Sequence, residues 1–169
     1  MARYRSIKWR IVYLMVIYKP SMQQPNKKSF NQIKIHSQYS ICEGALKIEN
    51  LKEYCKKNKI QSVGLSDTYN LSGALEFSEN ISSVGTQPII GSQIRFKFKN
   101  TYGLIPLIAK NYNGYKNIIE LSSKAYLEND DNDQPHCSIE DLTKYSDGII
   151  VLSGAINNFC LLYTSPSPR

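Results

Sequence analysis

Between residues 30 and 160, short apolar runs alternate with longer segments whose apolar residues return every three or four positions. That alternation constrains the fold most. Continuous or period-2 apolar runs make strands and a 3.6-residue period makes helices, so the order is that of an α/β protein with β/α units around a largely parallel sheet. Residues 32–36 read as a first strand, and residues 45–58 as a helix burying Leu46, Leu51, Tyr54 and Cys55. Residues 62–66 read as a second strand, and residues 73–83 as a helix with Ala74, Phe77 and Ile81 inward. A third strand spans 88–98, where Arg95, Lys97 and Lys99 alternate with Ile94, Phe96 and Phe98, which predicts one wet face. Residues 104–109 follow as a fourth strand, 114–127 as a helix burying Ile118, Leu121 and Ala125, and 149–152 as a fifth strand. Ser138, with Asp141 three residues on, predicts a capped short helix.

Charge sharpens the boundaries. The 169 residues carry 21 Lys and Arg against 14 Asp and Glu, a formal net charge of +7 that first suggests a nucleic-acid or membrane surface. Seven of the basic residues lie within 1–29, which holds no acidic residue, and another is the terminal Arg169. Residues 30–160 therefore carry 13 basic against 14 acidic side chains. The basicity belongs to the ends.

Residues 1–29 are set apart as a basic leader, with Met15 and Met22 both open as starts. Its apolar stretch at 9–18 is interrupted by Arg10 and is far short of the roughly 20 residues a membrane helix needs. Residues 161–169 replace patterned sequence with Ser and Pro and are set outside the fold as an artefactual tail. Cys42, Cys55, Cys137 and Cys160 form no Cys-x-x-Cys pair, so a reduced, cytoplasmic setting without membrane association is expected.

Chemistry in α/β folds gathers where strands end, and there the polar residues are His36, Asp67, Gln93 and Ser153. Lys52, Lys56, Lys57 and Lys59 read as a solvated helix face more readily than as a phosphate contact. Tyr112 and Tyr115 flank Asn113-Gly114, a turn signal, and His136 reads as packing at the start of the capped helix.

The segments IHSQYSICEGAL (35–46), LSDTYNLSGALEF (65–77), QPIIGSQ (87–93), LIAKNYNGYKNIIELSSKAYL (107–127) and GIIVLSG (148–154) agree in order and spacing with one family. They resemble the polymerase and histidinol phosphatase (PHP) domain that opens bacterial DNA polymerase III alpha subunits. The resemblance implies a distorted (β/α)7 barrel, of which about five strands are present here, so the barrel is expected to be incomplete and its sheet edge exposed. It also implies a metal site, and this chain departs from it. The family's His-x-His is Lys34-Ile35-His36, its following acidic position is Glu43, and its Thr-Asp-His is Ser66-Asp67-Thr68. Its Gly-x-Glu is Gly91-Ser92-Gln93, the histidine of the next strand falls at Leu104, and the cysteine of its Ser-Gly-Cys falls at Ala155.

These replacements point away from metal. Transition-metal sites need converging imidazoles or carboxylates, and the Lys34 ammonium has no lone pair to give. Lys34 is expected instead to pair with Glu43 or Asp67, a hypothesis on the substitution of metal by an ion pair. His36 then reads as a hydrogen-bonded core histidine, Asp67 and Glu43 as loop-fixing acceptors rather than an acid/base pair, and Gln93 as a hydrogen-bonding partner of neighbouring loops. The expectation is a vestigial site with no catalytic residue and no cofactor, in a domain that is a structural and docking module. The resemblance implies a parent DNA-directed DNA polymerase, a nucleotidyltransferase using Mg2+ in a palm domain outside this chain, with DNA, the other polymerase domains, the proofreading (epsilon) exonuclease subunit and the replisome as partners. The alternatives are an autonomous metal-dependent phosphoesterase or 3'-5' exonuclease, and a free-standing binding protein.

Overall fold

A computed structural model of the chain describes residues 30–129 and 133–152, so the leader, the tail, Ser153 and Ala155 lie outside the described residues. The elements run α1 (Ile48–Asn58), β1 (Ser62–Thr68), α2 (Ala74–Ser82), β2 (Gln87–Phe98), β3 (Thr101–Ala109), α3 (Tyr112–Leu127), β4 (Cys137–Ser138), α4 (Ile139–Lys144) and β5 (Ile149–Val151). The five strands form one sheet in the order β1-β2-β3-β5, with β4 beside β2. Among the described residues, 30–67 with 71–90 make one unit and 68–70 with 91–129 and 133–152 a second; β2 contributes residues to both. No helix among the described residues is long and apolar enough to cross a membrane.

In the first unit the core is built from Ile48, Leu51 and Cys55 of α1, Val63 and Leu65 of β1, Ala74, Phe77 and Ile81 of α2, and Ile90. α1 packs against α2. The first predicted strand is reduced to a bridge. Ile35 pairs in parallel with Leu65 and exchanges hydrogen bonds with its flanking residues, its N–H donating to Gly64 at 3.1 Å and its carbonyl accepting from Ser66 at 2.8 Å. The predicted helix at 45–58 starts later, at Ile48, because Leu46 is used in a second bridge, to Ser37. Tyr54, expected inward, is 59% exposed. At 100° per residue Ile48, Leu51 and Cys55 fall within about 60° of one another, while Tyr54 lies about 100° from Cys55. Lys59, at φ 50°, closes the helix in the left-handed region.

In the second unit the expected parallel order is overturned. β2 and β3 form an antiparallel hairpin from Gly91↔Ile108 to Phe98↔Thr101, and β5 pairs antiparallel with β3. Only Lys99 and Asn100 lie between the last paired residues, whereas a parallel crossover needs about a dozen. A parallel pair does occur where Cys137 meets Phe96. The predicted alternation on β2 holds, with Ile94 and Phe96 buried, Arg95 half-buried and Lys97 exposed. α3 begins two residues before its predicted start, so Tyr112 to Tyr115 form its first turn rather than a free turn, capped by the Asn111 side chain accepting from Gly114 N–H at 2.9 Å. Gly114 is required there: a Cβ would collide with the carbonyl oxygen of Gly148, which itself has φ +71°. The predicted cap at Ser138 is complete, with Asp141 N–H donating to Ser138 Oγ at 3.1 Å and Ser138 N–H to Asp141 Oδ2 at 3.0 Å.

Candidate functional site

The first unit carries the end of β1, and there Asp67 is only 1% exposed. A carboxylate at such a position must be supplied with donors. Asp67 receives three from one loop: Ser37 N–H at 2.6 Å, Ser37 Oγ at 2.7 Å and Ser40 Oγ at 2.7 Å. The loop is further closed on itself, since Ser40 N–H donates to Ser37 O at 3.0 Å and Gly44 N–H to Ser40 O at 2.9 Å. Tyr39, from the same loop, donates its hydroxyl to Glu76 of α2 at 2.6 Å. That carboxylate holds the Tyr39 phenol above its ordinary pKa. Gly73 makes room for this arrangement, because a Cβ there would lie 2.6 Å from the Tyr39 ring and 3.3 Å from Asp67 Oδ2.

His36 and Glu43 meet beside the same loop, with Nδ1 3.9 Å from Oε2 and Ser40 Oγ 3.4 Å from the same Nδ1. Lys34 is half-buried, and its backbone carbonyl accepts from Gln32 Nε2 at 3.1 Å. The contact that ties loop to strand is therefore carried by Asp67 with two serines. Those serines were not singled out from the sequence; the only local signal is their three-residue spacing immediately after His36.

The other predicted positions belong to the second unit. Thr68 is buried and its carbonyl accepts from Asn70 Nδ2 at 3.0 Å. Gln93 is buried and its backbone carbonyl accepts from Tyr69 N–H at 2.9 Å. Leu104 sits on β3 opposite Arg95. Ala155 lies outside the described residues. His136 meets the Tyr102 ring edge-on, with centroids 5.1 Å apart.

This unit also holds a cleft of about 190 Å³ that includes Lys97, Lys124, Asn129, His136 and Asp141. Lys124 Nζ lies 2.7 Å from Asp141 and 3.0 Å from Glu128, and its hydrogen bond to Asp141 is the main reason its pKa is raised. Burial opposes ionisation of Asp141, but the bonds from Lys124 and Ser138 outweigh it and leave its pKa below the ordinary value. Cys137, buried behind them with Sγ donating to Leu121 O at 3.2 Å, has its thiol pushed up to about 12, first by burial and then by Asp141.

A family metal cluster does not fit these donors. Among the described residues no group of three or more His, Cys, Asp and Glu could hold an ion. Both oxygens of Asp67 are already engaged, and His36 with Glu43 supplies one imidazole and one carboxylate.

Residues 32–162 match the family model described as PHP domain. DNA polymerase III subunit alpha of Rickettsia felis is 37% identical over 143 residues, which is 82% of this chain and 12% of the relative. The Haemophilus influenzae subunit is 34% identical over 128 residues, covering 74% and 11%. The chain thus spans about an eighth of the length of these relatives. Among solved structures, an amidohydrolase from Chromobacterium violaceum aligns with 57% of this chain and 34% of its own, at 13% identity and a TM-score of 0.45.

Proposed function

This chain belongs to the PHP domain family, and from that premise we propose that it is the PHP domain of a replicative DNA polymerase III alpha subunit and works there as a metal-free structural and docking module. The observation that carries the reading is the Asp67 carboxylate, whose two oxygens take three hydrogen bonds from Ser37 and Ser40. In a metal centre such oxygens face an ion. Here they anchor a loop, and a serine pair does the positioning that a shared cation does elsewhere. Nucleotidyl transfer from deoxynucleoside triphosphates, assisted by two Mg2+ ions, belongs in this reading to a palm domain on other residues of the gene product. The domain's own part is to hold its strand ends rigid and to offer surfaces to the remaining polymerase domains and to the proofreading exonuclease subunit. The autonomous phosphoesterase reading is not favoured, since it requires the imidazoles and carboxylate replaced at Lys34, Thr68, Gln93 and Leu104.

Elemental analysis tests the metal-free half. The chain purified from medium supplemented with zinc and manganese is expected to carry well under one ion per molecule, and stoichiometric metal overturns the reading. Sequencing of the intact locus tests the other half. An open frame leading into a palm domain with its acidic residues is expected, and a gene encoding no polymerase domain overturns it.

A further inference from the structure

We propose that the wet face of the β2–β3 hairpin is a binding surface for single-stranded nucleic acid. Strand alternation and the register Lys97↔Tyr102 put Arg95, Lys97 and Tyr102 on one face, opposite the buried Ile94 and Phe96. Lys99 extends the row of cations into the connecting turn. Alternate strand residues are about 6.6 Å apart, a step comparable to that between successive phosphates of an extended strand.

Two further observations separate this row from an ordinary solvated face. The first is charge. Among the described residues none of these three cations forms an ion pair with a carboxylate, whereas the neighbouring Lys124 is held by both Glu128 and Asp141. Arg95 donates instead to the neutral Gln134 side chain. The second is the aromatic lining. The Arg95 guanidinium lies 4.4 Å and Lys97 Nζ 5.5 Å from the Tyr102 ring centroid, Lys99 Nζ lies 5.4 Å from that of Phe98, and His136 meets Tyr102 edge-on. The rings hold the cations in place, so less side-chain freedom is lost when a phosphate arrives. A guanidinium held over a ring can also take a base on its other side, and cations interleaved with π-faces are what sequence-tolerant single-strand binding uses. Lys97 and His136 belong both to this face and to the 190 Å³ cleft, which can receive a base turned out from the strand. An acidic peptide would use the charges but brings no π-face to lay against the guanidinium or the exposed ring, so nucleic acid is the occupant the surface fits best.

The test is fluorescence anisotropy of the 169-residue chain with labelled oligothymidine across a salt series. Changing Arg95, Lys97 and Lys99 together to Glu is expected to weaken binding tenfold or more. The triple variant should lower the log–log salt slope by about two, at roughly 0.7 per lost cation–phosphate contact. The same change at Lys56, Lys57 and Lys59 on and after α1 is the control and should stay within twofold to threefold. Tyr102→Leu, which leaves the charge alone, should weaken oligothymidine several-fold and leave polyglutamate binding unchanged. Equal losses in the two triple variants, an unaltered slope, or polyglutamate or duplex DNA bound as tightly as oligothymidine would each overturn the proposal. Circular dichroism checks folding, and if the triple variant unfolds, Lys97→Glu and Lys99→Glu singly carry the same reading at exposed positions.

Discussion

Asp67 accepts both the backbone N–H and the hydroxyl of Ser37, at 2.6 and 2.7 Å, across thirty residues of chain. The pair fastens the 37–44 loop to the end of β1 with a charge-assisted clamp, completed by Ser40. A rigid strand end follows from this carboxylate and two hydroxyls.

Asp67→Ala should therefore destabilise the chain by about 2–4 kcal/mol, since hydrogen bonds to a charged group contribute about 1.5–3 kcal/mol and three donors lose their acceptor. Asp67→Asn should cost less, because the amide oxygen can keep the Ser37 N–H and the Ser40 hydroxyl while the Ser37 hydroxyl turns to accept from the amide N–H, and only the charge is lost. Urea denaturation monitored by circular dichroism checks the order, and equal stability of both variants with the parent would refute the clamp.

Gly114→Ala should destabilise by about 1–3 kcal/mol, the usual range for forcing atoms into filled space. The added methyl meets the Gly148 backbone carbonyl, which cannot swing aside as a flexible side chain could. Gly148→Ala adds a left-handed φ of 71° to its own clash with Asn111. Thermal melts of the two variants should show both lowered, with the double variant less than additive because the residues touch.

Acid should act on the Ser138–Asp141 cap. The folded pKa of Asp141 lies below its unfolded value, so its stabilising contribution is complete above the ordinary carboxylate pKa and disappears as pH falls through the depressed folded one. Urea midpoints measured from pH 6 down to pH 2 should fall less steeply for Asp141→Asn than for the parent, and Ser138→Ala should cost about 1 kcal/mol at neutral pH through loss of the cap. Parallel pH profiles for parent and Asp141→Asn would contradict this assignment.

Thiol reactivity should divide by burial. Cys42 is exposed, whereas Cys55 and Cys137 are buried, with burial raising both pKa values and taking that of Cys137 to about 12. Because the thiolate is the nucleophile, a thiol at about 12 presents on the order of a thousandfold less of it at pH 8 than an ordinary one. Brief iodoacetamide treatment followed by peptide mass spectrometry should modify Cys42 before Cys55 and Cys137; comparable labelling of Cys137 in the folded chain would oppose the packing described.

Local features are legible in the sequence. The inward faces of α2 and α3, the wet face of β2 and the Ser138–Asp141 box all depend on residues within a turn or two of each other, where spacing alone carries the information. The five residues between the strands read at 88–98 and 104–109 are too few for a parallel crossover and hold the signal for a hairpin, yet β/α alternation elsewhere points to a parallel sheet. Of the site, Asp67 at the end of β1 could be read from the motifs, and the two serines that bond it could not.

By itself, then, the sequence determined the α/β composition and the family, because each of these is a property of residue identity and local period. The tertiary structure decided that Ser37 and Ser40 satisfy Asp67, that Gly114 yields space to Gly148, and that Arg95 and Lys97 converge on Tyr102. Those pairings join residues up to 34 positions apart. No local pattern marks them, since the donor geometry or steric fit that selects each partner exists only once the strands have paired.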